Sequence, residues 1–296
     1  MMELGLMHQW VISTCYGFGD KFAEDVKPWR EEIPVLGQRF PFLMRGLLAL
    51  SALHLGRQCT DLQLKLKYLR TAAYHQDHAI PEYRSTLLDV TKDNVAAVLA
   101  FSAMLTTYSL AAPKDSEATL IDGPPEWIFL HRGIWDMPSH WQSWIDDSVM
   151  CRQMDRHRLQ PVDPSANPED HHLCALQTLI STLPPDQADD RPAYEGALYW
   201  LRQAYAHTFT PNSMLGAMFA LLFWIEKVPQ SYMDLLGARM PRAMVFLGNA
   251  VVLLKRVSHA WFLDGCAEKV LMDIKSMIGS ELFPWIEWPW RACGMV

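Results

Sequence analysis

Trp127, His131 and Trp135 follow one another at four-residue steps, so on a helix two indoles and an imidazole share one face, with Arg132 beside them. Imidazole and guanidinium groups can hold a proton or bind an oxygen, and indoles supply flat apolar walls. A second set lies in the uncharged run 95–112, where Ser102, Thr106 and Ser109 form a polar seam next to Tyr108. Further on, Trp224, Glu226 and Lys227 close an apolar run, and His259-Ala260-Trp261 opens another. Polar groups so placed either find partners within the protein or face a cavity that holds ligand or water. On the second reading, Tyr108, His131 and Arg132 are the hydrogen-bonding or acid–base groups. Met104, Trp127, Trp135, Trp224, His259 and Trp261 then line the ligand site. On the first reading, all of them are core residues with satisfied polar atoms.

Other chemistries lack their residues. His171, His172 and Cys174 lie close together and His75 and His78 are three apart, but neither group has the carboxylate or second ligand pair of a zinc site. His171 and His172 read as a solvated helix start, and His75 as a partly buried helix residue. There is no G-x-S-x-G elbow, no protease-like cysteine context and no glycine-rich phosphate loop. The expectation is no metal and no cofactor.

Helices must position these groups. Phe42–Leu55 is apolar on almost all sides, the pattern of a central helix. Asp61–Val90 carries Leu64, Tyr68, Ala72 and His75 at helical spacing, with an interruption expected at Pro81. Thr91–Asn94 offers cap-type residues ahead of 95–112, which is short for a membrane span and carries hydroxyls, so it reads as a buried core helix. A polar loop at 113–122 leads through Asp122-Gly123-Pro124-Pro125 into a helix over 126–135. Leu159–Asp170, with Pro161, Pro164 and Pro168, is the candidate internal linker. Helices are expected near 170–182, 190–208, 213–226, 240–258 and 260–278. No alternating apolar–polar run and no βαβ order appears. The predicted fold is all-α: one helical domain over residues 1–296 with an internal apolar cavity. Its expected borders are 95–112, 124–135, 213–226 and 259–263.

Composition narrows the function. The chain has 296 residues, half of them apolar, with twelve Trp, twelve Phe and sixteen Met to line a large core. Its net charge of −7 and lack of basic stripes argue against direct nucleic-acid binding. Six cysteines are scattered without a CxxC pair, the pattern of reduced intracellular thiols. The start, MMELGLMHQW, has no basic region before an apolar stretch and is not a secretory signal.

One run is more specific than composition. Phe40–Leu55 (FPFLMRGLLALSALHL) resembles a signature in the C-terminal regulatory domain of fungal zinc-cluster transcription factors of the sterol-uptake regulator type. The likeness continues through Tyr74-His75-Gln76 with Ala79, Tyr83-Arg84, and Thr91-Lys92-Asp93-Asn94 leading to Ala100-Phe101-Ser102. It ends with His259-Ala260-Trp261-Phe262-Leu263 and Trp285-Ile286-Glu287-Trp288-Pro289. The resemblance implies an α-helical bundle with an apolar cavity, in which yeast members sense ergosterol. It does not bring the DNA-binding half, where six closely spaced cysteines hold two zinc ions. Here the cysteines are spread over the chain, and the Met1 start favours a stand-alone protein.

Two functions follow as expectations. The first is a stand-alone domain recruited as a cofactor-free biosynthetic enzyme. It would carry out cyclisation, dehydration or cycloaddition on a polycyclic or terpenoid metabolite, where shape and a few hydrogen bonds lower the barrier. The alternative is a sterol- or lipid-sensing regulatory domain. Either way the expected partner is an apolar small molecule, with a homodimer as the candidate assembly.

Overall fold

The computed structural model describes residues 2–20, 22–112, 126–134, 137–211, 213, 215–257 and 260–296. The expected loop at 113–122, and Trp135 and His259, lie outside them. Among the described residues there is no strand, so the all-α expectation holds. The chain divides into two compact units: Met1–Pro113 with Trp127–Asp155 and His259–Phe262, and Lys114–Glu126 with Arg156–Ser258 and Leu263–Val296.

The first unit contains α1 (Met2–Ile12), α2 (Ile33–Gly37), α3 (Pro41–Gln58), α4 (Leu62–Leu87) and α5 (Val95–Ala111). It also holds nearly all of α6 (Glu126–Gly133), and the short α7 (Gln142–Asp146) and α8 (Cys151–Met154). Pro41 sits in the first turn of α3, where its missing N–H costs nothing. From there α3 packs on α1, α2, α4 and α5, and residues on every side of it are buried. Gly46 permits the approach of α5, since a Cβ there would lie 2.9 Å from both Met104 Sδ and the Phe101 ring. Around that crossing Phe42 meets Phe101 edge-on with ring centres 5.4 Å apart, and Tyr83 closes on Phe101 at 4.8 Å.

Pro81 does not interrupt α4, which runs unbroken to Leu87. The proline removes one N–H, and both Pro81 and Asp77, the residue four back, face solvent, where water can satisfy the freed carbonyl. Asn94 uses its side chain for the turn that precedes α5. Its Oδ1 accepts from Thr91 N at 2.8 Å and its Nδ2 donates to Asp89 O at 3.0 Å. No helix among the described residues is long and apolar enough to cross a membrane.

The second unit contains α9 (Asp170–Ser181), α10 (Arg191–Phe209), α11 (Ala217–Lys227), α12 (Gln230–Gly237), α13 (Pro241–Ala250), α14 (Val252–Lys255), α15 (Cys266–Met277) and α16 (Glu287–Ala292). Here α10 is the hub, packed on α9, α11, α12 and α13. The Arg202 guanidinium grips Asp170 through two bonds of 2.8 and 2.6 Å. Gln203 donates to Val162 O and accepts from Val162 N, which fastens the proline-rich stretch onto α10. The helix expected over 240–258 breaks at Val251. Asn249, just ahead of the break, donates to both Val245 O and Trp285 O, and competition of this kind for a helix carbonyl bends helices. The helix expected near 260 begins only at Cys266, after Gly265 in the left-handed region at φ 72°.

Candidate ligand-binding site

The site residues expected from the sequence fall unevenly. Met104 and Tyr108 stand one turn apart on α5, and Trp127 and His131 one turn apart on α6, all in the first unit. Met104, Trp127 and His131 are buried, whereas Tyr108 and Arg132 are half-buried. Burial, aided by the carboxylate of Asp77, raises the Tyr108 phenol above its ordinary range, so at neutral pH it keeps its proton and can donate.

The α5 seam is mostly closed on itself. Ser102 donates to Val98 O at 2.8 Å and meets the Tyr83 hydroxyl at 2.6 Å, Thr106 donates to Ser102 O, and Thr107 to Ala103 O. Ser109 Oγ is the exception, buried without a hydrogen-bond partner. Most of the seam thus finds its partners within the protein, and its far end does not.

Trp224 belongs to the second unit, where both its ring and its N–H are engaged. Its Nε1 donates to Ala197 O at 3.0 Å and its ring packs against Tyr232. The same logic governs that unit's other large buried polar rings. Tyr205 donates to Asn249 O at 2.7 Å and Tyr232 to Ala243 O at 3.0 Å, which ties one helix to the next.

Trp261 leads to a cluster that no sequence spacing marks. Its indole stacks on His54 with centroids 4.3 Å apart and planes 7° from parallel, and its Nε1 donates to Thr14 O at 3.3 Å. His54 Nδ1 meets Thr14 Oγ1 at 3.0 Å and its Nε2 meets the Gln58 amide at 3.0 Å. Burial, reinforced by the nearby Arg57 charge, pushes His54 down to about 4, so the ring is neutral at pH 7. Next to it on α3, Ser51 Oγ is fully buried without a hydrogen-bond partner. A histidine inside the apolar run LSALHL was the available signal, because a buried imidazole must find partners.

The histidines weighed as metal ligands have other company. His171 is exposed and lies beside His172, which stacks on Trp288 at 4.8 Å. Tyr74 lies against His78 at 4.1 Å, and His75 is buried. Elsewhere, Asp146, Cys151 and Asp155 bring potential ligand atoms within 4.8 Å of one another. The Cys151 thiol there donates to Asp155 Oδ2, and the group is partly exposed. The six cysteines are free thiols.

No family model matches the chain. Individual proteins do. The chain is 26% identical over 98% of its length to a Zn(2)-C6 fungal-type transcription factor of Gibberella zeae, of which it covers 61%. It is 24% identical over 94% of its length to sterol uptake control protein 2 of Candida albicans, covering 41% of that protein. The Saccharomyces cerevisiae protein of the same name matches at 33% identity over 36% of this chain and 11% of its own length. The chain therefore spans about three-fifths or less of the regulators it resembles. The three carry regulators' names, which favours the regulatory alternative over the cofactor-free enzyme.

Proposed function

We propose that the chain is the ligand-responsive part of a fungal transcriptional regulator, because it is similar along nearly its whole length to a Zn(2)-C6 fungal-type transcription factor and to a sterol uptake control protein. The effector class is a sterol or a sterol-like lipid. This similarity is the observation that carries the proposal. The ligand site is assigned to α5 and α6 of the first unit, with Met104 and Trp127 as apolar wall and Tyr108, His131 and Arg132 as the groups that meet a hydroxyl.

The chemistry of those residues supports the assignment. A sterol offers a rigid apolar body and one hydroxyl, so burial of the rings supplies affinity and one or two hydrogen bonds fix orientation. A protonated Tyr108 can donate to that hydroxyl. Ser109 Oγ, one residue on, supplies a buried polar atom that lacks a partner. Regulation then needs only a ligand that binds one helical packing better than another, since differential affinity is what shifts such an equilibrium.

The test uses dehydroergosterol, a fluorescent sterol that accepts energy from tryptophan. Saturable one-site transfer is expected, with affinity weakened about tenfold in Tyr108→Phe and His131→Gln at unchanged melting temperature. The sterol should be recovered intact by mass spectrometry. Absence of saturable transfer overturns the sterol reading, and a converted sterol would restore the enzyme.

A further inference from the structure

Outside the residues just assigned, a groove of about 780 Å³ runs along the outer side of α4, against the start of α1. Its floor is a helical stripe in which Lys67 and Arg70 are one turn apart and Tyr74 follows Arg70 by another. We propose that this groove binds a small amphiphile with an anionic head, the head on Lys67 and Arg70 and the apolar body along Leu66, Met2 and Tyr74.

Several observations carry this. The volume suits a small molecule, since ligand sites commonly enclose about 300–1,000 Å³. Among the described residues neither Lys67 nor Arg70 has an ion-pair partner, although the chain carries a net charge of −7. Like charges at this helical spacing repel each other, and an anion between them reverses the sign of that interaction. Leu66 and Tyr74 expose 38% and 53% of their surface and Met2 43%, which places apolar area beside the two cations. Tyr74 is oriented by its packing on His78.

His75 adds an independent pointer. It is 3% exposed, it borders the groove, and its Nδ1 has no hydrogen-bond partner. A buried polar atom of this kind is costly unless a ligand or a water completes it. Burial lowers its basicity, so the ring is neutral at pH 7 and can donate or accept. The recognition charge therefore comes from Lys67 and Arg70. Glu3, on the opposite wall, opposes it and limits the charge that the groove accepts.

Decyl phosphate, decanoate, decanol and inorganic phosphate, titrated below micellar concentrations by calorimetry, test the proposal on the full chain. One or both anionic amphiphiles should bind at one per chain, and which of them binds more tightly identifies the head. Decanol and inorganic phosphate should bind at least about tenfold more weakly, because each offers only half of the recognition. Lys67→Gln/Arg70→Gln should weaken the amphiphile about tenfold or more, and Glu3→Gln should tighten it about two- to threefold. Dehydroergosterol transfer should be unchanged in these variants, which keeps this groove separate from the sterol proposal. Equal binding of decanol, no binding of either anionic amphiphile, or indifference to the double substitution would overturn the inference.

Discussion

His54 and His75 are both buried in the first unit, 4% and 3% exposed. In both, burial lowers the basicity of the ring. Their surroundings differ. His54 has both nitrogens engaged, one by Thr14 and one by Gln58, and a tryptophan laid flat across its ring. His75 packs edge-on against Tyr74, borders a groove and leaves Nδ1 without a partner. One imidazole is a pin that holds α3, the turn at Thr14 and Trp261 together, and the other is an open valence. Residue type and burial are the same in the two places, so the partners decide which is structural.

The largest expected effect follows from removing the pin. His54→Ala should cost about 3–4 kcal/mol of unfolding free energy in urea, since it strands Thr14 and Gln58 and opens a cavity under Trp261. His75→Ala loses packing but no hydrogen bond from Nδ1, and should cost about 1 kcal/mol. Equal losses would break the comparison.

A smaller effect should appear with pH. Above about pH 6.5 neither the folded nor the unfolded chain protonates His54, and the folded ring is at no disadvantage. Between that pH and about 4 the unfolded chain takes up a proton that the folded ring refuses, so stability falls as the solution is acidified. The loss amounts to about 3 kcal/mol at most. His54→Gln should remove most of the difference in urea midpoint between pH 7.5 and 4.5. The remaining slope comes from His75, His172 and His207, whose basicities are also lowered by burial, and toward pH 4.5 from Asp163, Asp170 and Glu268, whose hydrogen-bond donors hold their carboxyls below the ordinary range. A His54→Gln protein with the full slope would show that these other groups dominate.

The smallest effect is expected at the stacked indole. Trp261→Phe keeps an aromatic face on His54 but loses the long bond from Nε1 to Thr14 O, and should cost about 0.5–1 kcal/mol. A loss as large as that of His54→Ala would make the indole, rather than the imidazole, the pin.

Much of the fold was legible because it is local. The runs that became α3 and α5 read as buried helices because they are apolar on every side, and the two lie where that pattern put them. Pro81 misled in the other direction: a proline in a helical pattern signals a break, but an exposed freed carbonyl lets the helix continue. The candidate site was less legible. Trp224 reads as a pocket wall from sequence, and its tie to Ala197 O shows only in the fold, whereas His54 reads as part of an apolar run and sits at the centre of a buried network.

The sequence by itself determined that the chain is helical, that α3 and α5 are buried, and which proteins it resembles, because apolar periodicity and motif order are properties of neighbouring residues. The tertiary structure alone decided which polar atoms are satisfied. The partners that settle this are distant in the chain: Thr14 meets His54 across 40 positions and Trp261 across 247. No spacing rule reaches so far. A hydrogen bond forms only when packing brings donor and acceptor to about 3 Å, and the same packing leaves Ser51, His75 and Ser109 with atoms that nothing in the described chain completes.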